Sequence, residues 1–95
     1  MSESLLSNEK RCVVCSATVD LHRHHIFFGD PNRKLSEEDG CWCWLCAKHH
    51  NGSNFGVHFD RELDLVLKKR CQKVWEEAHN GDRDRFRRRY GKSYL

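Results

Sequence analysis

Apolar and polar positions change places over short blocks in this chain, and the periods of those blocks predict small elements. Ala17 to Ile26 holds enough valine, leucine and isoleucine for a short strand. Cys41-Trp42-Cys43-Trp44-Leu45 suits a second strand, in which period two puts Trp42 and Trp44 on one face and Cys41, Cys43 and Leu45 on the other. Between them, Gly29-Asp30-Pro31-Asn32 is turn chemistry, and Arg33 to Gly40 reads as a loop with a charged centre. Cys46 to His50 suits a first helical turn, broken at Asn51-Gly52. Asp60 can cap a longer helix, with Glu62 and Asp64 favouring its dipole. Leu63, Leu67, Cys71, Val74 and Ala78 recur every three or four residues as one buried stripe, and Asn80-Gly81 stops it. A short basic helix from Asp82 to Tyr90 follows, docked by Phe86 and Tyr90. Residues 1–10 read as a tail, frayed or forming a short capping helix, and residues 11–95 as one domain without repeats.

Composition explains why such a chain needs a staple. Its 95 residues are 38% hydrophobic, against about 45–50% in ordinary soluble domains. A chain of this size buries too little surface for a thick core. Six cysteines and seven histidines stand out. No run approaches the roughly 18–20 apolar residues of a membrane span. Met1 to Arg11 has no apolar signal-peptide centre, so export is not expected and the cytoplasm is. In a reducing compartment the cysteines read as thiols or metal ligands rather than disulfides.

Two pairs have ligand spacing: Cys12-x-x-Cys15 and Cys46-x-x-His49, 30 residues apart. A tight knuckle turns the first pair inward, and one helical turn puts the second pair on one side. Four soft or borderline ligands without a carboxylate favour a structural Zn²⁺ over Mg²⁺ or Ca²⁺. Cys41-x-Cys43-x-x-Cys46 is a competing cluster, but a strand would face Cys41 and Cys43 toward the core with Leu45. Cys71 falls on the helix stripe as a small core residue.

His22, His24 and His25 end the first strand, while His50 directly follows the zinc ligand His49. His24 and His25 point to opposite sides of a strand, so one can hold a metal while the other points at a substrate beside it. A second metal on His24 and His50 would keep open positions for water, as catalytic metal sites do. The bland alternative is that these histidines cap a strand or complete the zinc shell. His22, on the His24 side, would support the ligands; His79 would be a favourable cation at a helix end.

In combination, Cys12-x-x-Cys15, His24-His25-Ile26 and Leu45-Cys46-x-x-His49-His50 resemble the HNH nuclease family. Gly56-Val57-His58-Phe59 and Tyr90-Gly91-Lys92-Ser93-Tyr94-Leu95 are similar to stretches of its small phage-encoded members, so the resemblance spans Arg11 to Leu95. It implies an α+β fold: a small zinc-stapled ββα-metal (treble-clef-like) core with a C-terminal helical extension. It implies a metal-dependent DNA endonuclease in a bacterial or phage-infected host cell, leaving 5′-phosphate and 3′-hydroxyl ends. His25 would be the general base. His24 and His50 would hold a divalent metal (Mg²⁺, Mn²⁺, Ni²⁺ or Zn²⁺), with His58 a third ligand or a phosphate contact. The asparagine that usually precedes the second cysteine pair is absent, since this stretch reads Asp39-Gly40-Cys41. A non-catalytic zinc module that binds nucleic acid or protein on the same scaffold is the alternative.

Charge fits a polyanionic partner. Residues 1–60 sum to −2 and residues 61–95 to +5, with five arginines between Arg83 and Arg89. Arg23, Arg33, Lys34 and Lys48 lie near the histidines in sequence and are candidate phosphate contacts; Arg83, Arg87 and Arg88 belong to the denser patch. Trp42 and Trp44 can stack on bases, but rings this large in so lean a chain are better placed filling the core.

Overall fold

A computed structural model describes residues 3–51, 56–57 and 60–95. The elements run as strand β1 (Leu21–His25), helix α1 (Asn32–Asp39), strand β2 (Trp42–Cys46), helix α2 (Ala47–Asn51), helix α3 (Arg61–Ala78) and helix α4 (Arg83–Tyr90). The fold is α+β, with one two-stranded sheet. The strands pair antiparallel, from Leu21 opposite Cys46 to His25 opposite Trp42. Among the described residues no helix is long and apolar enough to cross a membrane.

The connection between the strands differs from expectation. The charged loop expected over residues 33–40 is the helix α1. Its anchor is polar: Ser36, fully buried, donates through Oγ to the Phe27 carbonyl at 2.7 Å and accepts from the Phe27 amide at 3.2 Å. Gly40 ends the helix in the left-handed conformation (φ 78°), which glycine adopts without a Cβ penalty. Residues 3–10 form neither helix nor strand and lie against this corner. The Leu5 amide donates to the Gly40 carbonyl at 2.8 Å, and the Ser4 hydroxyl donates to the Trp42 carbonyl at 2.5 Å.

Both long-range helices start where their caps place them. The Asp60 carboxylate accepts from the Leu63 amide, and Asp82 accepts from the Arg85 amide. The buried face of α3 is rotated from the expected stripe. Leu67, Cys71 and Trp75 face the core, whereas Val74 is half-buried and Ala78 is exposed. Polar neighbours can be buried on this face because the C-terminal residues satisfy them. Gln72 donates to Ser93 Oγ (2.9 Å) and Glu76 (2.7 Å) and accepts from the Tyr94 amide (2.7 Å).

The core is an aromatic and thiol cluster. Phe27 packs on Phe86, Tyr90 and Tyr94 with ring centroids 5.1, 4.6 and 5.5 Å away. Cys41, Cys43 and Cys71 are buried within the same cluster, as packing residues would be. Burial raises the Cys43 thiol to about 12, so it stays protonated at neutral pH. At the end of α1, Asp39 Oδ2 accepts from Trp75 Nε1 (2.9 Å), Arg89 Nε (2.6 Å) and Tyr90 Oη (2.7 Å), joining α1 to both long-range helices.

Candidate metal centre and histidine cleft

The Cys12–Cys15 knuckle is shaped by its own backbone. The Cys12 amide donates to the Ala17 carbonyl and the Ser16 amide to the Cys12 carbonyl, both at 2.8 Å. The Val13 amide donates to Trp44 at 2.9 Å, which fixes the knuckle against β2. Cys46 ends that strand and His49 lies one turn into α2, so four donors from separate segments meet within 4.8 Å of one another. Cys15 Sγ lies 3.8 Å from Cys46 Sγ, and His49 Nδ1 lies 3.7 Å from Cys12 Sγ and 3.3 Å from Cys46 Sγ. A tetrahedron with ordinary Zn–S and Zn–N bonds has edges of about 3.8 Å between sulfurs and about 3.5 Å between sulfur and nitrogen. The Cys₃His set therefore fits a metal ion such as zinc in both chemistry and spacing. Burial opposes ionisation of Cys12, but the amides of Cys46, Cys15 and Val14 outweigh it and lower its pKa to about 6. The Ala17 amide favours the Cys15 thiolate; desolvation and the Cys12 and Cys46 sulfurs together overcome it and raise that pKa.

The β1 alternation divides the histidines as expected. His22 and His24 lie on the side of α2, where His50 follows the ligand His49. His22 Nδ1 is 2.9 Å from His50 Nδ1, and the His24 and His50 ring centroids are 5.4 Å apart. His24 is buried, at 2% exposure. A cleft of about 450 Å³ brings His24, His25 and His50 together with Arg23, Phe28 and Arg33. His58, the expected third ligand or phosphate contact, lies outside the described residues. Among the described residues, the Cys₃His set is the group of three or more donors that converges on one point.

On the other side of β1 lies a residue that sequence reasoning missed. Glu37, carried by α1, accepts from Arg23 Nη2 at 2.6 Å and lies 3.1 Å from His25 Nε2. Burial opposes its ionisation, but hydrogen bonds and charge from Arg23 and His25 prevail and hold its carboxyl below the ordinary 4.5. The Arg23 guanidinium also lies 3.6 Å from the Trp42 ring centroid. The expected phosphate contact Arg23 is thus held by protein groups while it lines the cleft. Glu37 reaches His25 only because α1 forms where the sequence pattern predicts a loop.

The other basic candidates separate. Arg33 lines the cleft, and Lys34 lies with Arg33, His25 and Glu37 around a neighbouring depression. Lys48 is exposed on α2. The α4 arginines do not form one uncommitted patch: Arg83 pairs with Glu76 at 3.2 Å, Arg87 with Asp84 at 3.0 Å, and Arg89 with Asp39 at 2.6 Å. Arg88 sits with Arg85 and Arg89 beside Trp75 and His79. Trp42 is buried and Trp44 half-buried, with ring centroids 5.5 Å apart.

No family model matches the chain, and no curated protein or solved structure is significantly similar to it.

Proposed function

We propose that this chain is an HNH-type endonuclease domain that hydrolyses DNA phosphodiesters in the cytoplasm. The observation that carries this reading is the cleft joining His24, His25 and His50 with two arginines, beside the Cys₃His set. In this reading β1, β2 and α2 form the ββα-metal unit, and a structural zinc on Cys12, Cys15, Cys46 and His49 fixes the strand–helix junction that delivers His50. His24 and His50 would hold the catalytic divalent ion. Two imidazoles sharing one tetrahedral ion keep their centroids about 5 Å apart, which the 5.4 Å separation fits. An imidazole pair suits Ni²⁺, Zn²⁺ or Mn²⁺ better than Mg²⁺. When bound, that ion stabilises negative charge developing on the phosphate and the departing oxygen.

His25 does the proton chemistry. A neutral imidazole accepts a proton from water near pH 7 as the water oxygen bonds to phosphorus and the bond to the 3′ oxygen breaks. The leaving oxygen takes a proton from solvent, giving a 5′-phosphate and a 3′-hydroxyl. Arg33, at the cleft, and Lys34, on α1, supply positive charge for the DNA backbone. Incubation with supercoiled plasmid and Mn²⁺, Ni²⁺ or Mg²⁺ tests the reading. Wild type is expected to convert plasmid to nicked or linear product, and His25→Ala to lose at least about 100-fold of that rate. Equal cleavage by His25→Ala refutes the base assignment. Salt-sensitive DNA binding without cleavage in any ion points instead to a non-catalytic zinc module.

A further inference from the structure

We infer that Glu37 is a positioning residue for His25, fixing the tautomer and orientation of its imidazole on the face of β1 opposite His24. The inference rests on the reading of His25 as general base. Three observations lead to it. First, Glu37 Oε1 lies 3.1 Å from His25 Nε2, within hydrogen-bonding reach. An ionised carboxylate accepts and cannot donate, so its partner nitrogen must carry the hydrogen. That assignment leaves Nδ1 as the lone-pair nitrogen, the atom able to take a proton from water. Second, the carboxylate is clamped. Its other oxygen receives Arg23 Nη2 at 2.6 Å, and the same guanidinium lies 3.6 Å from the Trp42 ring, opposite His25 in the strand ladder. A planar cation held by an aromatic ring and a carboxylate loses little freedom when it holds that carboxylate in turn.

Third, the backbone that carries Glu37 is fixed independently of the pair. Ser36 is fully buried and bonded to both the amide and the carbonyl of Phe27. Phe27 lies two residues beyond His25, so the base and its partner are referred to the same short stretch of chain. Arg23 therefore acts through Glu37 rather than chiefly on a phosphate.

The test compares wild type, Glu37→Ala and Glu37→Gln, each with zinc bound and with the fold checked by circular dichroism. Imidazole ¹⁵N shifts report the His25 tautomer, and plasmid cleavage reports kcat and KM. Wild type is expected to show one His25 tautomer, protonated at Nε2. Glu37→Ala is expected to show a mixture of tautomers and a kcat at least about tenfold lower, with KM within about twofold. Glu37→Gln keeps an acceptor and is expected to recover part of both. A His25 tautomer unchanged in Glu37→Ala overturns the inference, even if stability falls. So does a loss confined to KM. If wild type cleaves nothing, the nuclease reading fails, while the ¹⁵N comparison still decides whether Glu37 sets the state of His25.

Discussion

Cys15→Ser probes the Cys₃His set most cleanly, because Cys15 is exposed and its replacement leaves no cavity in the core. Three of the donor pairs sit 3.3–3.8 Å apart and all four donors lie within 4.8 Å of one another, so they are placed to share one ion. Exchanging a thiolate for a neutral hydroxyl should weaken zinc binding by about 100-fold or more. With free zinc buffered above both dissociation constants, a 100-fold loss removes about 2.7 kcal/mol of stability. In a domain of this length each kcal/mol moves the melting midpoint by about 4–8 °C, so the variant should melt about 10–20 °C below wild type. The effect is large relative to the whole: a chain of 95 residues has roughly 5–14 kcal/mol of folding stability. A structural zinc can contribute an apparent 10–16 kcal/mol of binding energy. The assay is a melt of both proteins by circular dichroism, in buffered zinc and in excess chelator, with zinc stoichiometry measured by elemental analysis. In chelator both proteins should lose the zinc-dependent stability and behave alike, melting together or already unfolded, since without metal the substitution is a small surface change. Equal differences in zinc and in chelator, or fewer than one zinc per wild-type chain, would refute the reasoning.

Gly40→Ala should cost more than about 2 kcal/mol in urea unfolding. Its φ of +78° penalises any Cβ by about 1–2 kcal/mol, and the added methyl would run into the Glu3 carbonyl oxygen; a loss of only about 1–2 kcal/mol would show that residues 3–5 yield freely. Phe86→Ala removes a fully buried ring touching Phe27, Trp75 and Tyr90, and should cost about 3–5 kcal/mol by the same measurement. The Tyr90 phenol is pushed above its ordinary 10.0 by burial first and by Cys41 and Asp39 next. The unfolded phenol ionises near 10 and the folded one does not, so Tyr90 contributes stability that is complete below pH 10 and declines as pH rises past it. Absorbance at the tyrosinate band should therefore show Tyr90 ionising only as the fold opens, and Tyr90→Phe should flatten the alkaline loss of stability; ionisation of Tyr90 near pH 10 in the intact fold would contradict this.

What was legible in the sequence was written locally. The Asp60 cap, the two-residue ligand spacings and the strand alternation each need only a few neighbouring residues, and each matches the structure. Helix α1 was illegible because Asn32 to Asp39 offers a single apolar residue, Leu35, and no hydrophobic period. Its burial depends on Ser36 meeting Phe27, nine positions earlier. The α3 stripe was displaced for a similar reason: Gln72 is buried because Ser93 and Tyr94 arrive to bond it, about twenty positions later. Glu37 followed α1 into obscurity, since its carboxylate looks like solvated charge until a helix aims it at His25.

Asp39 bears on how portable the cleft is. One oxygen gathers donors from Trp75, Arg89 and Tyr90, and the helix it ends also carries the carboxylate beside His25. A fragment stopping after α2 would retain every proposed cysteine and histidine ligand among the described residues, yet leave this carboxylate without its three protein donors. Grafted into another scaffold, such a fragment would bring the reactive groups without the brace that holds their supporting helix. A transplantable cassette must therefore include the far helices, although none of their residues is among those lining the cleft.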